Sequence, residues 1–184
     1  MIFIAEQYLQ IIIFHLQPKK SFVMNNRLIK IFFGIVVGLY MLLVCINNIT
    51  DYGANFQFVS KVTGMEDIFS REKNDWRAVN SRALQHLFYL FIIAWELLIT
   101  GLVVLGVVRM LRVSKAEETE FRKSGKLLRL GLFLGVILWF TAFVTVGGEW
   151  FLMWQSKIWN GQNTAFMLTI VFLLFLIYQH QPDD

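Results

Sequence analysis

The chain has 184 residues, 57% of them hydrophobic and 16% charged, with a mean hydropathy of +0.56, a composition that excludes an ordinary soluble domain and points to the membrane class. Its net charge of +4 comes from lysines and arginines gathered in particular loops, which reads as topology information and not as a nucleic-acid footprint. One cysteine, Cys45, excludes an intrachain disulfide, and three scattered histidines match no metal-ligand spacing, so no cofactor or metal is expected.

Residues 1–23 lack the basic start and small-residue cleavage site of a secretory signal, and their apolar run is broken by Gln10 and stopped by Pro18. Two readings stay open. Translation starts at Met24, just ahead of NNRLIK and the first span, or the segment is an amphipathic helix lying on the membrane surface. The membrane domain is expected over 24–184.

A helix needs about 20 mostly apolar residues to cross the hydrocarbon core. Four spans are predicted, at about 28–48, 83–110, 127–147 and 162–179. The last apolar run, Ala165 to Tyr178, gives only about 21 Å of helix and must recruit residues from Trp159 to Thr164 or sit where neighbours thin the bilayer. The fold class is all-α: a four-helix transmembrane bundle with short amphipathic helices in the two outer loops.

Orientation follows from the basic residues, which favour the cytoplasmic side in short loops. Arg109, Arg112, Lys115, Arg122, Lys123, Lys126 and Arg129 lie between the second and third spans, and Lys19, Lys20, Arg27 and Lys30 lie at or before the first. On the other side, Lys61, Arg71, Lys73, Arg77 and Arg82 are offset by Asp51, Glu66, Asp67, Glu72 and Asp75. Both termini are therefore expected in the cytoplasm.

The outer loop from Asn47 to Arg82 is too long to be a mere connection. Within it NFQFVSKVTGM has a one-sided apolar pattern, and EWFLMWQSKIW after the third span is similar, its tryptophans suiting the headgroup region. A faint repeat relates the two halves: Gly34 and Gly38 return as Gly131 and Gly135, Asp51 as Glu149, FVSKV as WQSKI. An ancient doubled hairpin and convergence of interface-seeking residues both account for it.

Glu96 lies midway between Arg82 and Arg109, about 20 Å from either end of the second span, hence near the bilayer midplane. An acid there costs about 2.5 to 3.5 kcal/mol, least when it keeps its proton. Tyr89, Glu96 and Thr100 share a helix face that should point into the bundle. Either Glu96 hydrogen-bonds a neighbouring helix and pins the packing, or it is the proton- or cation-binding site of a carrier. Asn47, Asn48 and Asp51 after the first span and Glu149 after the third form a candidate polar rim that could line a route to it. No midplane proline or broken helix marks a substrate site.

The pairs Gly34/Gly38 and Gly131/Gly135 each place two small residues on one helix face, for packing of the first span on the third or of two protomers. A histidine-pair haem site is disfavoured, because His86 and His180 are expected about 30 Å apart at opposite membrane faces. No phosphate loop, no nucleophile with a matching base and no zinc spacing occurs, so an enzyme is not expected.

At NNITDYGANFQFVSKVTGMED, Asn47 to Asp67, and GGEWFLMWQSKIWNGQNTAF, Gly147 to Phe166, the sequence resembles a bacterial domain-of-unknown-function family of predicted small integral membrane proteins, DUF2165. The resemblance implies a four-span inner-membrane protein from about Met24 onward and supplies no activity, cofactor or catalytic residue. The leading functional expectation is a noncatalytic membrane protein that associates with itself or with other envelope proteins. The alternative is a small proton- or cation-coupled carrier or channel using Glu96.

Overall fold

In the computed structural model, which describes residues 25–183, Asn25 opens the first helix by accepting the Arg27 N–H on its side-chain oxygen at 2.9 Å. The readings of residues 1–23 lie outside this range. Helix α1, Asn26–Thr50, buries Ile31, Gly34, Val37, Gly38, Met41 and Cys45 at helical spacing. Across Asp51 the chain turns into α2, Tyr52–Thr63, whose Phe56, Val59 and Val62 face inward, so the one-sided pattern of NFQFVSKV becomes a helix laid against its neighbours. After the short α3, Arg71–Asn74, and one 3₁₀ turn comes α4, Arg82–Arg112, 31 residues and about 46 Å long.

A solvated helix, α5, Glu118–Ser124, leads into α6, Lys126–Ile137, which continues as a π-helical segment, Leu138–Trp150. The last helix, α7, Gln162–Tyr178, has 17 residues. No strand occurs among the described residues. The molecule is an all-α membrane bundle in which three long apolar helices, Asn26–Thr50, Arg82–Arg112 and Glu118–Trp150, have the length and composition to cross a bilayer, and α7 is a shorter apolar fourth. In the second loop the helical structure is a single turn, Met153–Gln155. Leu152 takes left-handed backbone angles, φ 55°, just before it, and the Ser156 hydroxyl accepts the Trp159 N–H at 2.7 Å just after it, which stops a longer helix.

Packing runs α1 on α4, α4 on α6, and α6 on α7. Small residues set the approach distances. A Cβ on Gly34 would lie 2.6 Å from Val107 of α4 and 3.0 Å from Leu128 of α6, and one on Gly131 would lie 2.7 Å from Val103. On Gly106 it would overlap the Leu128 backbone, and on Gly135 the Phe172 ring of α7. Gly38 is looser, 3.4 Å from Val103. The core between these contacts is apolar: Met41, Val103, Val107, Leu128, Leu132 and Phe172.

At the end carrying Asn25 and Asp183 the bundle is clasped. Phe33 of α1 stacks on Phe175 of α7 with centroids 4.5 Å apart. Buried Lys30 reaches Asp183 Oδ1 and the Gln181 carbonyl, both at 2.5 Å, while Gln179 donates to the Lys30 carbonyl at 2.9 Å. At the opposite, long-loop end, the two loops are stitched together: Ser156 donates to Asp67 at 2.6 Å and Ser70 to Gln155 at 2.8 Å, over a cluster of Val62, Met65, Phe151 and Met153.

The π-helical segment begins beside a contact with α4. Trp95 of α4 donates its indole N–H to the Leu134 carbonyl at 3.2 Å, and the Leu138 N–H is shared between the Leu134 and Gly135 carbonyls. From Leu138 onward the helix widens, so that the Phe151 N–H reaches Val146, five residues back, at 3.0 Å.

Candidate functional site

Glu96 is the fifteenth residue of α4 and is 1% exposed. Its Oε2 accepts a hydrogen bond from Asn48 Nδ2 at 2.6 Å. Asn48 belongs to the last turn of α1, so the carboxyl lies level with the end of one neighbouring helix although it is central in its own. The midplane expectation counted distance along α4 alone. Helix α4 overshoots α1 at the long-loop end, and the space above the end of α1 is covered by α2, whose Phe56 and Val59 pack with Tyr89 and Ile93.

The three residues assigned to one face of the second span are brought together. Tyr89 donates its hydroxyl to the Asn48 carbonyl at 2.9 Å, and Thr100 donates to the Glu96 carbonyl at 2.8 Å. Tyr89 and Thr100 are both buried. Cys45 Sγ lies 3.3 Å from Thr100 Oγ1. The acid is therefore embedded in a short polar file, Tyr89, Asn48, Glu96, Thr100 and Cys45. Such a file satisfies groups that would otherwise be stranded in an apolar interior.

Toward the long-loop end the file meets an aromatic group. The Tyr52 hydroxyl and His86 Nδ1 are 2.8 Å apart, His86 stacks on Phe56 at 3.8 Å, and the Tyr52 and Tyr89 rings are 4.8 Å apart. Toward the other end the file stops. Below Cys45 the facing positions of α1 and α4 are Met41, Val37, Val103 and Val107, all buried and apolar.

The candidate polar rim is divided among three places. Asn48 turns inward to Glu96. Asn47 and Asp51 form the α1–α2 corner, where the Asn47 carbonyl accepts the Asp51 N–H at 2.9 Å and the Asp51 carbonyl accepts Asn55 Nδ2 at 3.0 Å. Glu149 is exposed on the π-helical segment, beside a different cleft. The four glycines, Gly34, Gly38, Gly131 and Gly135, all face other helices of the same chain. His86 and His180 are at opposite ends of the bundle, His180 Nδ1 lying 2.8 Å from the Leu176 carbonyl. Among the described residues no group of three or more His, Cys, Asp or Glu side chains is placed to hold a metal ion.

Cys45, Tyr52, Phe56 and His86 join the site without having been singled out for it. For Cys45 a signal existed: it precedes Asn48 by three residues and so shares its helix face. For the Tyr52, Phe56 and His86 cluster no local signal exists, because it depends on how α2 folds back on α4.

No curated protein and no solved structure matches the chain. The family model for predicted small integral membrane proteins, DUF2165, matches residues 26–182. With its long apolar helices and a match over nearly the whole described chain, the protein belongs to that family of integral membrane proteins of unknown function.

Proposed function

We propose that this is a noncatalytic four-span protein of the bacterial inner membrane, both termini cytoplasmic, that acts by associating with itself or with other envelope proteins. The observation that carries the reading is the closure of the polar file. Glu96 is tied to a side chain of the adjacent helix at 2.6 Å, and the file ends at Cys45 against apolar packing. A carrier needs its site to open alternately to both sides, and this file approaches one side only. The buried acid is thus a helix tie of the kind that removes an unsatisfied polar group.

The surface for association is at the long-loop end. Phe69, Trp76 and Ile158 are each about three-quarters exposed there, and Phe69 and Trp76 make edge contacts with Trp154 and Trp150. Exposed aromatics of this kind anchor interfaces. The basic loop around α5 supports an outer position for this end by the positive-inside rule. Crosslinking in the native membrane from a photoreactive residue at Phe69 or Trp76 tests the reading. A discrete protein adduct at either position is expected. Adducts no more frequent than from lipid-facing Leu39 would contradict it.

The second reading, a proton- or cation-coupled carrier, is favoured by the polar file itself, which leads from the Tyr52–His86 pair toward Glu96. Replacing Glu96 with Gln distinguishes the two, since it preserves hydrogen bonding and abolishes titration.

A further inference from the structure

A cleft of about 900 Å³ opens between the long-loop halves of α4 and the π-helical segment, beneath α2. Its walls are Phe91 and Trp95 on one side, Leu138, Ala142 and Val146 on the other, with Val62 above. The volume falls within the range of small-molecule sites, about 300–1,000 Å³. The walls belong to two helices that have the composition of membrane spans, so what reaches the cleft sideways is hydrocarbon. The π-helical segment, Leu138–Trp150, forms one wall of the cleft, and π-helical distortions frequently mark functional sites.

The rim carries Glu149, and beside the rim, next to Trp150, lies an incompletely paired cation, Arg77. The Arg77 guanidinium lies 5.7 Å from the Trp76 ring and 5.9 Å from the Trp150 ring, and Trp150 also lines the cleft. One of its N–H groups reaches the Glu149 carbonyl at 3.4 Å and another reaches Asn74, but the Arg77 Nε is buried with no partner. The Glu149 carboxylate, exposed on the cleft rim, is in no ion pair among the described residues. A cation and a carboxylate are thus adjacent without neutralising each other, and tryptophans mark the level of lipid headgroups.

We propose that this cleft seats an acyl chain of an amine-bearing phospholipid, with Arg77 taking the phosphate and Glu149 the ammonium. The occupant follows from three chemistries placed together: hydrocarbon walls, an unpaired carboxylate on the rim suited to an ammonium, and a guanidinium beside the rim suited to phosphate oxygens. A lipid with phosphate and no amine satisfies the first two only. This goes beyond the association proposed above and stands or falls separately from it.

The test uses the full chain in phosphatidylglycerol vesicles carrying a trace of phosphatidylethanolamine with a diazirine at the end of its acyl chain. After illumination, the labelled residues are mapped by mass spectrometry. The label is expected on Phe91, Trp95 and Ala142 about fivefold above lipid-facing Leu43 and Leu173, and about fivefold above the same probe built on phosphatidylglycerol, the equivalent of one partly exposed charge pair. Glu149→Gln, a change at an exposed side chain, should bring the two probes level, and Arg77→Gln should lower labelling by both. Labelling spread evenly over the lipid-facing surface would mean bilayer contact only and would overturn the proposal. So would equal labelling by the two headgroups in the parent protein, or occupation of the cleft by a crosslinked protein helix.

Discussion

Asn48, in the last turn of α1, donates its amide to Glu96, in the middle of α4, at 2.6 Å, and so joins the two helices at a buried acid. Removing the donor leaves the acid buried without that partner. Asn48→Leu is expected to destabilise the protein by about 1–2 kcal/mol, in line with hydrogen bonds between membrane helices. Thermal unfolding in detergent would read this as a lower Tm, whereas an unchanged Tm would mean that the bond does not contribute.

Two glycines of the same helix separate packing from propensity. A Cβ on Gly106 would overlap the Leu128 backbone, while one on Gly101 meets nothing within 4 Å. Gly106→Ala should cost about 1–3 kcal/mol through overpacking. Gly101→Ala should be neutral or stabilising by up to about 1 kcal/mol, since Ala is the better helix former. Equal effects at both positions would argue against the α4–α6 approach described above.

The clasp at the terminal end rests on a buried ion pair, Lys30 with Asp183, whose side chains are 3% and 1% exposed. Breaking such a pair from one side costs about 3–5 kcal/mol, because the remaining charge is uncompensated, whereas replacing both partners with apolar residues is often near neutral. Lys30→Met should therefore be markedly less stable than Lys30→Met combined with Asp183→Leu. A double variant no better than the single one would contradict the pairing.

How much of this is legible in the sequence depends on the range of the interaction. The apolar helices are legible because hydropathy is local. The predicted 83–110 and 127–147 fall inside Arg82–Arg112 and Glu118–Trp150, and the short last run does start earlier, at Gln162. Burial of Tyr89, Glu96 and Thr100 on one face is likewise a matter of helical spacing. The level of Glu96 in the bundle is not legible, because it depends on how far α4 slides past α1. Lys30 and Asp183 are separated by 153 residues and have no common pattern. The π-helical segment begins where the Trp95 indole meets the Leu134 carbonyl, a contact between distant residues that hydropathy does not encode. The proposed equivalence of FVSKV and WQSKI meets unlike structures, a helix in α2 and a single turn in the second loop.

The two loops carry a pH-sensitive link outside the spans. The Ser156 hydroxyl, donating to Asp67 at 2.6 Å, holds that carboxyl below its usual range, with desolvation opposing. Stability from a lowered carboxyl is fully present above the unfolded value, near about 3.9, and is lost as pH falls through the folded value. The stability difference between the parent and Ser156→Ala should thus be largest above about pH 4 and should shrink on further acidification. Acid titration followed by tryptophan fluorescence would show it; a difference that grew toward low pH would reverse the sign and refute the link.

The central claim is that Glu96 is a tie between helices and not a titrating transport site, and proton flux in proteoliposomes tests it most directly. Under an imposed pH gradient the parent protein should give the flux of protein-free vesicles, and Glu96→Gln should match it while keeping the Tm of the parent. A pH-driven flux in the parent that disappears with glutamine would contradict the account.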